Sequence, residues 1–119
     1  MNKPSLLRAF LVEDEGAIAL LLEDMLSELG YEIAASAARL SKACDMARMG
    51  EFDFAILDVN LAGEPVFPVA AILQELRIPF IFSTGYGGGA IPPQFSEYPA
   101  LSKPFSLEQL RQAILDALL

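Results

Sequence analysis

Residues 6–16 read LLRAFLVEDEG, an apolar run from Leu6 to Val12 that passes directly into three acids, Glu13, Asp14 and Glu15. Such a run reads as a buried strand whose C-terminal end meets polar chemistry. From Gly16 to Leu29, apolar residues at Ile18, Leu21, Leu22, Met25, Leu26 and Leu29 recur at helical spacing, and Gly30 supplies a C-terminal cap. A strand leads into a helix, and the unit then repeats. Ile33 to Ser36 is a weaker second strand, followed by a helix over Leu40 to Met49 that closes at Gly50. Phe54, Ala55, Ile56 and Leu57 form a third buried run ending at Asp58, and a helix follows over Val66 to Leu76. Phe80, Ile81 and Phe82 make a fourth strand ending in Ser83 and Thr84.

The rhythm breaks after Thr84. Gly85, Gly87, Gly88 and Gly89, with Pro92 and Pro93, are poor helix material, so the fourth helix should be short, irregular or missing. The same glycines lack the Lys-Ser/Thr ending of a phosphate-cradling loop. A last short strand near Ala100 to Ser102 precedes Lys103, Pro104 and Phe105. Ser106 and Gln109 then stand at capping-box spacing before an amphipathic helix to Leu119. Five strand-helix units, one defective, predict an α/β domain whose parallel sheet is covered by helices on both faces. In such sheets ligands bind beyond the C-terminal ends of the strands.

Composition narrows the chemistry. A chain of 119 residues, 54% hydrophobic, has the length of one domain and ample apolar surface for a core. No apolar run approaches the roughly 18 residues that span a bilayer, and the N-terminal residues lack a secretory signal, so the expected compartment is the cytoplasm. A net charge of −8 opposes binding to nucleic acid or an anionic membrane. Cys44 is the only cysteine and reads as a small, partly buried apolar residue in a helix; there is no histidine. Chemistry must therefore run on carboxylates, hydroxyls, a lysine or a metal.

The strand ends supply those groups: Glu13 and Asp14 after the first, Asp58 after the third, Thr84 after the fourth and Lys103 after the fifth. Taken alone, the acids at 13–15 read more readily as a helix N-terminus, where acids interact well with the dipole. Brought together, three carboxylates repel one another, so either some are protonated or a cation neutralises them. Oxygen ligands without imidazole or thiolate favour Mg²⁺. A carboxylate can also be the nucleophile of phosphoryl transfer, and Asp58, ending the most apolar strand, is best placed for it, with Thr84 and Lys103 stabilising the transferred group.

Glu13-Asp14, Asp58, Thr84 and Lys103-Pro104, in that order, closely resemble the receiver domains of response regulators, over essentially the whole chain. The resemblance implies a flavodoxin-like (CheY-like) doubly wound sheet of strand order 2-1-3-4-5. It also implies that Asp58 accepts a phosphoryl group from a histidine kinase or histidine phosphotransfer protein. By the same resemblance Asp14, Asp58 and the backbone carbonyl of Asn60 bind Mg²⁺ directly, Glu13 does so through water, and Lys103-Pro104 is a cis peptide. PFIFSTGYG, Pro79 to Gly87, further resembles the signature of the single-domain FATGUY receivers of bacterial phosphorelays, with Ser83 where alanine is usual. Ala100 departs from commoner receivers, which carry a switching Tyr or Phe there; activation is instead expected to order or shift Gly85 to Tyr98. The expected organisation is a single receiver domain over residues 1–119 with no output domain, acting through a protein target or by relaying or draining phosphate. Two other classes fit less well. A non-phosphorylated protein-binding module would not need so complete a site, and an aspartate phosphatase would carry its Asp-x-Asp after the first strand.

Overall fold

The computed structural model describes residues 6–85 and 91–119. Its elements in chain order are β1 (Arg8–Val12), α1 (Gly16–Glu28), β2 (Glu32–Ala37), α2 (Leu40–Met49), β3 (Phe54–Asp58), β4 (Asn60–Leu61), β5 (Glu64–Pro65), α3 (Phe67–Glu75), β6 (Phe80–Thr84), β7 (Ala100–Ser102) and α4 (Leu107–Leu118). Among the described residues of the interval between β6 and β7 stands one 3-10 turn, Pro93–Phe95. The short, irregular or missing fourth helix is thus borne out among the described residues; Tyr86 to Ala90, part of the segment expected to respond to activation, lie outside them.

Five strands form one parallel sheet in the order β2-β1-β3-β6-β7. With the small β4–β5 hairpin set aside, this is the expected 2-1-3-4-5. The order reverses at β1, so the crevice between β1 and β3 is the topological switch point where such sheets bind ligands. The sequence pattern missed the hairpin, which is antiparallel and two residues long on each arm. It also began the first strand two residues early. Leu6 and Leu7 are exposed, because the sheet pairing of β1 starts only at Arg8.

Strand alternation divides the core in two. Ala9, Leu11, Phe54, Ile56, Ile81 and Leu101 face α1 and α4, meeting Leu22, Leu26, Leu110 and Ile114. Phe10, Val12, Ala55, Leu57, Phe80 and Phe82 face α2 and α3, meeting Ala43, Ala47, Val69 and Leu73. Both faces of β3 and β6 are therefore buried, which explains why those strands read as unbroken apolar runs. Each large side chain so buried contributes about 1.5–3 kcal/mol, which holds the strand ends of the site in place. The helix termini follow the expected punctuation. Gly50 closes α2 at φ 63°, a left-handed conformation that favours glycine. Ser106 and Gln109 form the full capping box at the start of α4. Among the described residues no helix is long and apolar enough to cross a membrane.

Candidate functional site

Each predicted site residue stands at a strand end for a structural reason. Glu13 and Asp14 leave β1 before α1 begins, Asp58 is the last residue of β3, Thr84 is the last of β6, and Lys103 follows β7. One carboxylate oxygen from each of Glu13, Asp14 and Asp58 lies within 4.8 Å of the others. The Lys103 ammonium sits against two of them, donating to Glu13 Oε1 at 2.9 Å and lying 3.3 Å from Asp58 Oδ2. Two of the three acids thus share one cation in contact. The peptide between Lys103 and Pro104 is cis, as the resemblance implied.

Backbone amides fix the carboxylates. Asn60 N–H donates to Asp58 Oδ1 at 3.2 Å, Ala62 N–H to Asp14 Oδ2 at 3.1 Å and Glu15 N–H to Glu13 Oε2 at 3.1 Å. The β4–β5 hairpin delivers two of these donors. Its turn is held by Gly63 N–H donating to Asn60 Oδ1 at 2.7 Å, with Gly63 at φ 91° and Ala62 at φ 52°. The side chain of Asn60 thus shapes the turn. Thr84 is buried and donates its hydroxyl to the Leu101 carbonyl at 3.3 Å.

Burial sets the charges. Asp58 is only 6% exposed, and that burial, reinforced by the neighbouring Glu13 charge, pushes its pKa up to about 7 against the lowering effect of Lys103. Asp14 behaves oppositely. Its burial raises the pKa, but hydrogen bonds with Asp58, its own amide and Ala62 N–H outweigh that and hold it below its usual value. Of the two acids, Asp58 therefore keeps the proton. Burial disfavours the Lys103 ammonium, yet its bonds to Glu13 and Asp58 prevail and raise its pKa.

The pairing of Lys103 with Glu13 was not legible in the sequence, since 90 positions separate them. The same is true of the hairpin amides that hold Asp14. Asn60 and Gly63, three apart, were the one available signal for a turn there. Beside the acidic cleft runs an apolar groove lined by Ile18, Leu21, Met25, Pro104 and Phe105.

A doubly wound sheet with an acid pair after β1, an aspartate ending β3, a hydroxyl after β6 and a lysine after β7 is the architecture of a phosphoacceptor switch. The model of the response regulator receiver domain matches residues 9–115, and the chain belongs to that family, the phosphoacceptors of two-component and phosphorelay signalling. The transcriptional regulatory protein PdtaR of Mycobacterium tuberculosis is 30% identical over 111 residues, covering 90% of this chain and 54% of PdtaR. The chain thus spans about half the length of the curated relatives it matches first. The solution structure of SdrG from Sphingomonas melonis Fr1 is similar at a TM-score of 0.86 and 36% identity, covering 96% of this chain and 98% of SdrG. The BeF3-activated conformation of SdrG is similar at 0.80 and 36%, with coverage of 98% and 100%. The receiver domain of PhyR from Erythrobacter litoralis follows at 0.77 and 29%, with coverage of 95% and 90%.

Proposed function

We propose that Asp58 is the phosphoacceptor, that Thr84 and Lys103 stabilise the transferred group, and that the acidic cluster holds Mg²⁺. The observation that carries this reading is the convergence of the Glu13, Asp14 and Asp58 carboxylates, within 4.8 Å of one another, with Lys103 in contact with two of them. The donors are all oxygen and the negative charge exceeds the positive, which fits a hard divalent cation. Asp14, Asp58 and the Asn60 carbonyl would hold it directly and Glu13 through water. When bound, Mg²⁺ supplies positive charge to the phosphoryl oxygens and displaces the proton from Asp58.

In the transfer a carboxylate oxygen of Asp58 attacks phosphorus on a phosphohistidine. The O–P bond forms as the P–N bond breaks, and the imidazole keeps the electron pair and takes up a proton. Lys103, already 3.3 Å from Asp58, offers its charge to the group in flight. Thr84 exchanges the Leu101 carbonyl for a phosphoryl oxygen. The donor is a histidine kinase or histidine phosphotransfer protein, for which the apolar groove beside Asp58 offers a contact. The output is a protein contact or onward relay of phosphate, and the domain is a switch without turnover of its own on foreign substrates. We read residues 1–119 as one such domain, and the compartment as the cytoplasm.

Intact mass after incubation with Mg²⁺ and phosphoramidate tests the assignment. The wild type should gain one phosphoryl group and Asp58→Asn none. Equal gain in both proteins, or turnover of a generic phosphate ester, would sink it.

A further inference from the structure

Ser83 is the only residue among those described with a buried side-chain oxygen that has no hydrogen-bond partner, and it is 1% exposed. An orphan hydroxyl of this kind is costly relative to a paired one. Its place in the sheet is specific. Ser83 is the register partner of Asp58 on one side and of Leu101 on the other. Ile81, two residues before it, packs on the α1/α4 face, so alternation puts the Ser83 side chain on that face too. Ala9 and Leu11 do the same for Glu13, Phe54 and Ile56 for Asp58, and Leu101 for Lys103. Glu13, Asp58 and Ser83 therefore form a row at the ends of β1, β3 and β6, and Lys103 stands just past β7, two residues beyond Leu101, the register partner of Ser83.

Lys103 starts just past β7 and its ammonium ends at Asp58, the last residue of β3, and Glu13, after β1. Between those ends the stem passes the C-terminal end of β6, the strand that carries Ser83. A small residue leaves room for that passage, yet smallness alone does not call for a hydroxyl. The ammonium has three N–H donors, and two are directed at carboxylates that the reading above assigns to the cation and the phosphoryl group.

We infer that Ser83 is a positioning residue for Lys103: its hydroxyl accepts a hydrogen bond from the ammonium when Glu13 and Asp58 are taken up by the bound cation and the phosphoryl group. The inference rests on the proposed phosphoacceptor site. It gives the otherwise unpaired Ser83 hydroxyl a partner.

The test uses Ser83→Ala beside wild type. In cation-free protein its thermal midpoint should equal or exceed that of wild type, because no bond is lost. With Mg²⁺ and phosphoramidate, phosphorylation should slow by about ten- to a hundredfold, the share of one hydrogen bond to a charged group. The Lys103 Nζ resonance should coincide in the two cation-free proteins and differ in the two beryllofluoride-loaded ones. An unchanged rate, coincident loaded resonances, or a lower cation-free midpoint each overturns the inference. If wild type takes neither Mg²⁺ nor phosphoryl, the reading of the site falls and this inference with it; phosphorylated wild type with an indistinguishable Ser83→Ala sinks this inference alone.

Discussion

As the proposed nucleophile, Asp58 pairs two demands that conflict: it must be ionised to attack, and its position at the end of a buried strand favours the proton. Its pKa of about 7 stands above the ordinary carboxylate value of 3.8 because burial and the charge of Glu13 outweigh Lys103. Between those two values the folded protein binds a proton that the unfolded chain has released. Stability from this group is therefore present at low pH and lost as pH rises from about 4 through 7. Asp58→Asn removes the effect. In a chelator at pH 8 the variant should have the higher thermal midpoint, by an amount on the order of 1–2 kcal/mol in stability, since relaxation and water entry moderate a buried charge. The gap should close as pH falls to 4; a gap that stays constant across that range would refute the electrostatic account. The same linkage makes cation binding release a proton, so Mg²⁺ affinity should rise with pH between about 6 and 8 when followed by calorimetry.

At the scale of elements, the segment between β6 and β7 is held by aromatic packing. Phe95, in the 3-10 turn, is 1% exposed and lies 5.9 Å from Phe67 and 6.0 Å from Phe82, ring centre to ring centre. Tyr98 stacks on Phe80 at 3.9 Å. These contacts anchor Pro93 to Tyr98 onto the α2/α3 face where a full helix would otherwise cover it. Phe95→Ala should destabilise the domain by about 3–5 kcal/mol in urea unfolding, the usual cost of emptying a core aromatic site. A loss below about 1 kcal/mol would mean that the segment collapses into the space at little cost. Ala100, 18 residues after Phe82 in sequence but its register partner in the sheet, is exposed and carries no ring, so a rotating aromatic at that position takes no part in switching.

For the whole molecule, the excess of acid matters most. The net charge is −8, and three of the carboxylates sit together, two of them against one lysine. A cation that binds only the folded chain stabilises it by mass action. Differential scanning calorimetry with increasing Mg²⁺ should show a rising midpoint in wild type and a much smaller rise in Asp14→Asn at the same ionic strength. An equal rise in both would assign the effect to general screening of the surface charge. Much of this molecule was legible from pattern alone. Apolar runs ending in polar residues located all five strands of the main sheet, the capping residues located α2 and α4, and the glycine-proline stretch after Thr84 marked the broken unit. Glu13, Asp14, Asp58, Thr84 and Lys103 were identified because local sequence decides what lies at the end of each strand. Which of those groups touch was decided only by the tertiary structure. The order of strands in the sheet brings Lys103, after β7, to Glu13, after β1, and the register sets Ser83 beside Asp58; both depend on pairings between residues far apart in the chain, which no local periodicity encodes.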